Sequence, residues 1–248
     1  MSRSTFLRGV IVTADKNIKI YYKKAPVIIF GLLFPLFMFI AFFIGRKIEI
    51  TTFFPGFLAM TLFFTASSVG PLITPWEKQA GTYERLLSYP VTISIIILGD
   101  MLAGLLFGVV ITTVVMLFVF VFLNINIINI FLILIALILG SCCFASLGVL
   151  LASPTSRAPS NVMMLSALVR FPLIFISGVF VPLQQLEGIG LALSYFSPLT
   201  YLVDLFNVCF NGSSVISIEL DIVALFFFTG IFLVAANFLH KRNLVKGL

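Results

Sequence analysis

Six times along this chain, a run of eighteen or more residues passes with almost nothing but Leu, Ile, Val, Phe, Ala, Met and Gly, and that pattern leaves few folds open. The runs are Ala25–Gly45, Phe53–Ile73, Ser94–Leu123, Ile127–Ala152, Val162–Val181 and Ile222–Leu239. Crossing about 30 Å of hydrocarbon takes roughly 20 helical residues. None of the runs alternates polar with apolar residues as the strands of a membrane barrel do. A water-soluble monomer is excluded on a separate ground. Only 10% of the residues are charged, against about 25% in a soluble domain, too few to cover an outer surface. The expected fold class is all-α integral membrane, with six transmembrane helices in a single domain, 1–248.

Basic residues orient the spans. Arg3, Arg8, Lys16, Lys19, Lys23 and Lys24 precede the first run, and Lys241, Arg242 and Lys246 follow the last. Lys78, Arg85 and Arg157 fall in the two loops on that same side. The opposite side has Arg46 and Lys47, and it gathers Glu49, Glu187, Glu219 and Asp221. The positive-inside rule then makes both termini cytoplasmic in a multi-pass protein of the cell membrane. The net charge of +6 reads as this bias and as contact with membrane lipids, not as a nucleic-acid surface. The first 24 residues are too polar for the apolar core of a signal peptide, so the first run is expected to double as the targeting signal.

Within this frame, residues 1–24 are expected to form a cytoplasmic interfacial helix. Leu7, Ile11, Ala14 and Ile18 recur at helical spacing among Arg8, Asp15, Lys16 and Lys19. Tyr21 and Tyr22 with Lys23 and Lys24 suit the membrane boundary. Spans one to five occupy 25–181. The third run is longer than a membrane needs, which puts Asp100 near its cytoplasmic boundary, and Gly104 and Gly108 suit a close helix contact. Asn124, Asn126 and Asn129 mark a tight outside turn, and 153–161 an inside loop. Residues 182–221 are expected to be an extracellular or re-entrant region of two short helices, Leu183–Ser197 and Leu199–Phe210, divided at Pro198. Leu186, Ile189, Leu193 and Phe196 would share one face of the first. Span six is 222–239 and 240–248 a cytoplasmic tail. Arg170 lies inside the fifth run; it either snorkels to the interface or faces a pathway where it attracts an anionic group such as a lipid phosphate.

Several chemistries lack their residues. The chain has no GxxxxGK[ST] nucleotide loop, no HExxH and no GxSxG. Its one histidine, His240, sits beside Lys241 and Arg242 and reads as an interfacial basic residue. Cys142, Cys143 and Cys209 form no metal or disulfide pattern and read as apolar helix residues. No catalytic, cofactor-binding or metal-ligating set is expected.

One charged interruption remains. Between the second and third runs stands Glu77-Lys78-Gln79-Ala80-Gly81-Thr82-Tyr83-Glu84-Arg85-Leu86-Leu87-Ser88-Tyr89-Pro90-Val91. Gly81 breaks the incoming helix, Thr82 can cap a new one, and Pro90 ends it. Tyr83, Leu86 and Leu87 make an apolar face at i, i+3 and i+4, with Glu84 and Arg85 elsewhere. The spacing predicts two helical turns lying flat at the cytoplasmic surface, a ridge on which a partner can dock.

This stretch, with Ile97-Leu98-Gly99 after it, resembles the signature of the ABC-2 family, the membrane permeases of ABC exporters: E-x-x-x-G-T-x-E-x-L-x-x-x-P-V followed by Leu-Gly. Ile176-Ser177-Gly178-Val179-Phe180-Val181-Pro182 and Ser197-Pro198-Leu199-Thr200-Tyr201 extend the resemblance in the right order. Asp100 and Asn207 depart from it, standing where relatives often carry Lys and Arg. The resemblance implies a transport subunit without enzyme activity of its own. It would pair with a second permease copy or a paralogue, above separately encoded ABC ATPase subunits that hold ATP and magnesium. Gly81–Pro90 resembles the coupling helix, with Glu77, Glu84 and Arg85 as polar contacts and Tyr83, Leu86 and Leu87 as the inserted face. Arg170, Ser177, Gly178, Pro182 and Pro198 are candidates for the substrate pathway. The cargo would be drug-like, lipid or glycan and would move outward; the signature is more similar to drug and lipophile exporters. A self-contained secondary transporter or channel is the alternative. It calls for ion-pairing acids at mid-membrane and often repeated halves, whereas the assigned spans hold only Asp100 and Arg170 as charges.

Overall fold

The computed structural model describes residues 3–29, 33–43, 50–89, 91–123, 127–154 and 158–247. Among them every regular element is a helix: α1 (Arg3–Tyr21), α2 (Ala25–Ile28), α3 (Phe34–Phe43), α4 (Ile50–Gln79), α5 (Thr82–Ser88), α6 (Ile93–Leu123), α7 (Ile130–Leu151), α8 (Pro159–Phe175), α9 (Ile189–Ser194), α10 (Pro198–Asn211) and α11 (Ile218–Gly247), with a 3-10 turn at Leu183–Gln185. The all-α expectation holds. Four helices, α4, α6, α7 and α11, are long and apolar enough to cross a membrane. α8 is a 17-residue apolar helix. The first expected span is represented by α2 and α3, and its end at Gly45 lies outside the described residues, as do Arg46, Lys47, Glu49, Asn124, Asn126 and Arg157.

α4 is the axis of the bundle. It runs unbroken through Pro55, Pro71 and Pro75 to Gln79, and its apolar window is wholly buried. Two neighbours approach it backbone to backbone. A Cβ on Gly70 would stand 2.5 Å from Gly148 O on α7, and one on Gly148 would stand 2.7 Å from Ser67 O. A Cβ on Gly104 of α6 would meet Ala66 O at 2.8 Å, and one on Gly108 would meet Ala66 Cβ at 2.8 Å. The small residues foreseen on the third run thus have a partner, since apolar side chains gain nothing by leaving lipid and close packing must draw helices together. Phe34 closes on Phe64 edge to face, 4.6 Å between centroids, and lays α3 against the axis. The outer helices α6, α7 and α11 present Val114, Phe118, Phe131, Ile138, Phe227 and Val234 outward.

Helix ends explain most differences from the expected boundaries. α7 starts on Asn129, whose side chain accepts from Leu132 N at 3.1 Å. At its other end, donors from distant elements meet the carbonyls a helix leaves free. His240 Nε2 lies 3.1 Å from Val149 O, Asn243 Nδ2 donates to Ser153 O at 2.6 Å, and Lys78 Nζ donates to Pro154 O at 3.2 Å. His240 is therefore a buried donor, not an interfacial cation, and the expected tail after 239 continues as helix to Gly247. α8 stops at Phe175, six residues before the expected Val181, because the chain turns through Gly178 at φ 79. The expected helix Leu183–Ser197 is interrupted at Gly188, φ 57, leaving the 3-10 turn and α9, so the single face expected of Leu186, Ile189, Leu193 and Phe196 is broken: Leu186 and Phe196 lie outside α9, and Ile189, Leu193 and Phe196 are exposed. α10 begins at Pro198 and is buried almost throughout, against α4, α7 and α11. Asp204 on α10 accepts from Val215 N and Ile216 N at 3.0 Å each, holding the loop that leads into α11.

Candidate functional site

α5 stands off the end of α4, between α4 and α6 in the chain. Gly81 takes φ 67 at its N-cap position, a left-handed conformation that costs a residue with a Cβ about 1 kcal/mol or more. Thr82 does not cap the helix as foreseen. It is the first helical residue, and its Oγ1 donates back to Glu77 O at 3.2 Å, joining the two helices across the break. Pro90, the expected stop, lies outside the described residues; the helix has ended by then, with Tyr89 extended and Val91 N donating to Tyr89 O at 2.7 Å.

The expected apolar face divides. Tyr83 is buried, only 2% exposed, and points into the protein, so it is not part of the outward surface. Lys78 Nζ sits 5.5 Å above its ring. Burial, then the carboxylates of Asp100, Glu77 and Glu84, push the Tyr83 phenol well above its ordinary range, so it stays protonated. Leu86 and Leu87 are half-buried, Glu84 is half-buried, and Arg85, Ser88 and Tyr89 are exposed. What α5 offers a partner is a small polar ridge with aliphatic flanks, braced from beneath by a tyrosine.

Beneath the ridge lies a polar cluster that the sequence reading did not assemble. Glu77 is 2% exposed and ion-paired with Lys16 of α1. From the next residue of α1, Asn17 Nδ2 donates to Asp100 Oδ1 at 2.6 Å, and Thr74 Oγ1 on α4 donates to Asp100 Oδ2 at 3.2 Å. Tyr22 donates to Ala103 O. Asp100 is thus not loose at a boundary but a buried acceptor that fastens α1 to α6 and α4. Glu77, expected as an outward coupling contact, is likewise turned inward. α1 has the predicted helical form; it faces the bundle with Thr13, Ala14 and Asn17 and turns Leu7, Ile11 and Val12 outward. A signal existed for this cluster: an acid in an apolar run requires a donor, and Asn17 and Lys16 are consecutive on the one amphipathic helix.

Two of the five pathway candidates share a pocket, and the other three do not line it. Gly178 and Pro182 line a pocket of about 310 Å³ with Thr52, Gln184, Asn207 and Asn211. Ser177 beside them is buried and donates to Ile174 O at 2.8 Å, and Pro198 is the buried first residue of α10. Arg170 is elsewhere. It does not snorkel, and it lines a small pocket with Phe64, Ser68, Met163 and Phe171. Its Nη2 donates to Ser67 O at 2.8 Å and its Nη1 to Ser68 Oγ at 3.2 Å, with the side chain buried. The reason lies four residues after Ser67. An α-helical carbonyl is met by the N–H four residues on, and that residue is Pro71, which has none. Arg170 supplies the missing donor.

Compared with known families, residues 9–211 match the family model described as ABC-2 type transporter, a span that includes α5, the Arg170 contact and α10. No curated protein matches the chain.

Proposed function

Because the chain belongs to the ABC-2 type transporter family, and is by that membership and its apolar helices a multi-pass membrane permease component, we propose that it is the transport subunit of an ATP-binding-cassette exporter. ATP and magnesium bind a separately encoded ATPase, and α5 is the coupling helix that seats in it. The observation that carries this reading is α5 itself: a seven-residue helix set off by Gly81 and tied back to α4 through Thr82 and to the interior through Tyr83. A loop that only joined two spans would have no use for a buried tyrosine and a left-handed glycine. Glu84, Arg85 and Ser88 provide the polar contacts, and Leu86 and Leu87 the apolar ones. Both termini are cytoplasmic in the cell membrane, the working unit holds two permeases, as copies or as paralogues, and the cargo moved outward is drug-like, lipid or glycan. The pocket beside Gly178 and Pro182, walled by neutral amides and hydroxyls, is the candidate stretch of pathway.

The experiment is purification from the native membrane in mild detergent, with mass spectrometry of the partners. A P-loop ATPase should accompany the chain. Glu84→Ala combined with Ser88→Trp should weaken its retention at least tenfold, about 1.4 kcal/mol, because few contacts carry an interface of this size. An assembled dimer that brings no ATPase, or a variant that retains it fully, refutes the assignment.

A further inference from the structure

Along one flank of α5, the last turns of α1 and the end of α4 enclose a groove of about 730 Å³. Lys16, Lys24 and Arg85 line it, and the one carboxylate on its wall, Glu77, is spent on Lys16. Neither Lys24 nor Arg85 is ion-paired among the described residues, so the groove carries two positive charges without an internal counter-ion. Its remaining wall is amphipathic. The Lys24 ammonium stands 4.9 Å from the centroid of the Trp76 ring, Tyr89 is exposed at the rim, and Ile20 and Leu86 fill the sides. On the same side of α1, Val12 one turn before Lys16 and Ile20 one turn after it are exposed, and no other described residue covers them.

These features describe one kind of ligand: a phosphate to meet two cations, a polar neck to lie against Trp and Tyr, and apolar chains to lie against Ile20 and Leu86. Aromatic rings that are apolar at one end and polar at the other belong at the headgroup level of a bilayer, beside Lys and Arg. We propose that the groove between α1, α4 and α5 is a binding site for an anionic phospholipid of the adjacent leaflet, its phosphate held by Lys24 and Arg85. Inorganic phosphate would satisfy the cations but would leave Trp76, Tyr89, Ile20 and Leu86 unused. The site shares Arg85 and Leu86 with the coupling face proposed for α5, but lipid binding does not require that role, so it is tested on the permease chain without an ATPase.

Trp76 is the only tryptophan in the chain, so intrinsic fluorescence reads this groove directly. The full-length chain is placed in nanodiscs of phosphatidylcholine doped with either brominated phosphatidylglycerol or brominated phosphatidylcholine at equal mole fraction. Brominated phosphatidylglycerol should quench Trp76 at several-fold lower mole fraction, since each basic side chain at an anionic surface is worth roughly fivefold in binding. Lys24→Gln with Arg85→Gln should abolish the preference, whereas Lys24→Arg with Arg85→Lys should keep it, which separates charge from folding. Equal quenching by the two lipids, or a preference that survives the double Gln variant, overturns the proposal. Titration of inorganic phosphate distinguishes the source of the anion. If it displaces the phosphatidylglycerol quenching at concentrations that leave bulk surface charge unscreened, the site is for free phosphate and the lipid assignment fails.

Discussion

Replacing both Arg170 and Pro71 tests whether the buried arginine exists to serve a carbonyl. A buried carbonyl without a donor costs about 1–3 kcal/mol. Arg170→Met leaves Ser67 O in that state, since Pro71 gives no N–H and the 2.8 Å bond from Nη2 is gone. The single variant is nevertheless a poor test. It also removes a charge whose cost within a span is on the order of 2.5–3.5 kcal/mol, so its net sign is not diagnostic. Pro71→Ala is equally mixed, because it changes helix propensity by up to about 3 kcal/mol along with the hydrogen bond. The double-mutant cycle removes both background terms. Alanine at 71 restores the N–H that Ser67 O lacks, so the stability gained by Pro71→Ala should be larger in the Arg170→Met background than in the parent, by roughly 1–3 kcal/mol. Equilibrium unfolding in mixed micelles gives the four stabilities. A coupling below about 0.5 kcal/mol would mean the two residues act independently and that Arg170 has another purpose. The same variants assayed for transport would then reveal whether that purpose concerns cargo.

Two further outcomes follow from the geometry around α5. Lys16→Met should destabilise the protein by about 3–5 kcal/mol, because Glu77 is left charged and buried, while Lys16→Met with Glu77→Leu should recover most of that; thermal melts of the three proteins decide it, and a double variant as unstable as the single one contradicts the pairing. Gly81→Ala should cost about 1 kcal/mol through backbone conformation alone, since a Cβ there meets nothing within 4 Å, and Gly81→Asn should cost less; an Ala variant of parental stability would show that the left-handed turn is not maintained.

The parts of this protein that could be read from its sequence are those where the chain breaks its own rule. A charged stretch with Gly81 and Pro198 at a helix start stand out against apolar runs, and α5 and α10 begin where those residues put them. The parts that could not be read concern direction. A membrane helix is apolar on the face that meets lipid and on the face that meets protein, so the apolar pattern alone does not tell the buried α4 from the peripheral α11; the Gly, Ala, Ser and Thr content of α4 is the signal that does. The same ambiguity hid the inward turn of Tyr83. Lys16 and Glu77 are 61 positions apart, and no periodicity joins residues at that separation. The basic neighbours of His240 suggest an interface, whereas its buried side chain adds a donor to Val149 O in the last turn of α7.

The prolines of α4 give that helix an uneven stiffness. Up to Gly70 it is clasped by α6 and α7 through backbone contacts that leave no room for it to slide or tilt. Past that point Pro71 and Pro75 remove two of the hydrogen bonds that resist bending, those of the carbonyls of Ser67 and Pro71. The helix is thus a rod gripped for most of its length, with a compliant final stretch that carries α5 at its tip. A push on α5 would be absorbed as flexure between residues 71 and 79 were it not for the splint of α1, pinned there through Lys16 to Glu77 and through Asn17 to Asp100. Force applied at the tip is divided between a spring and a brace, and the brace leads into α6 as well as α4.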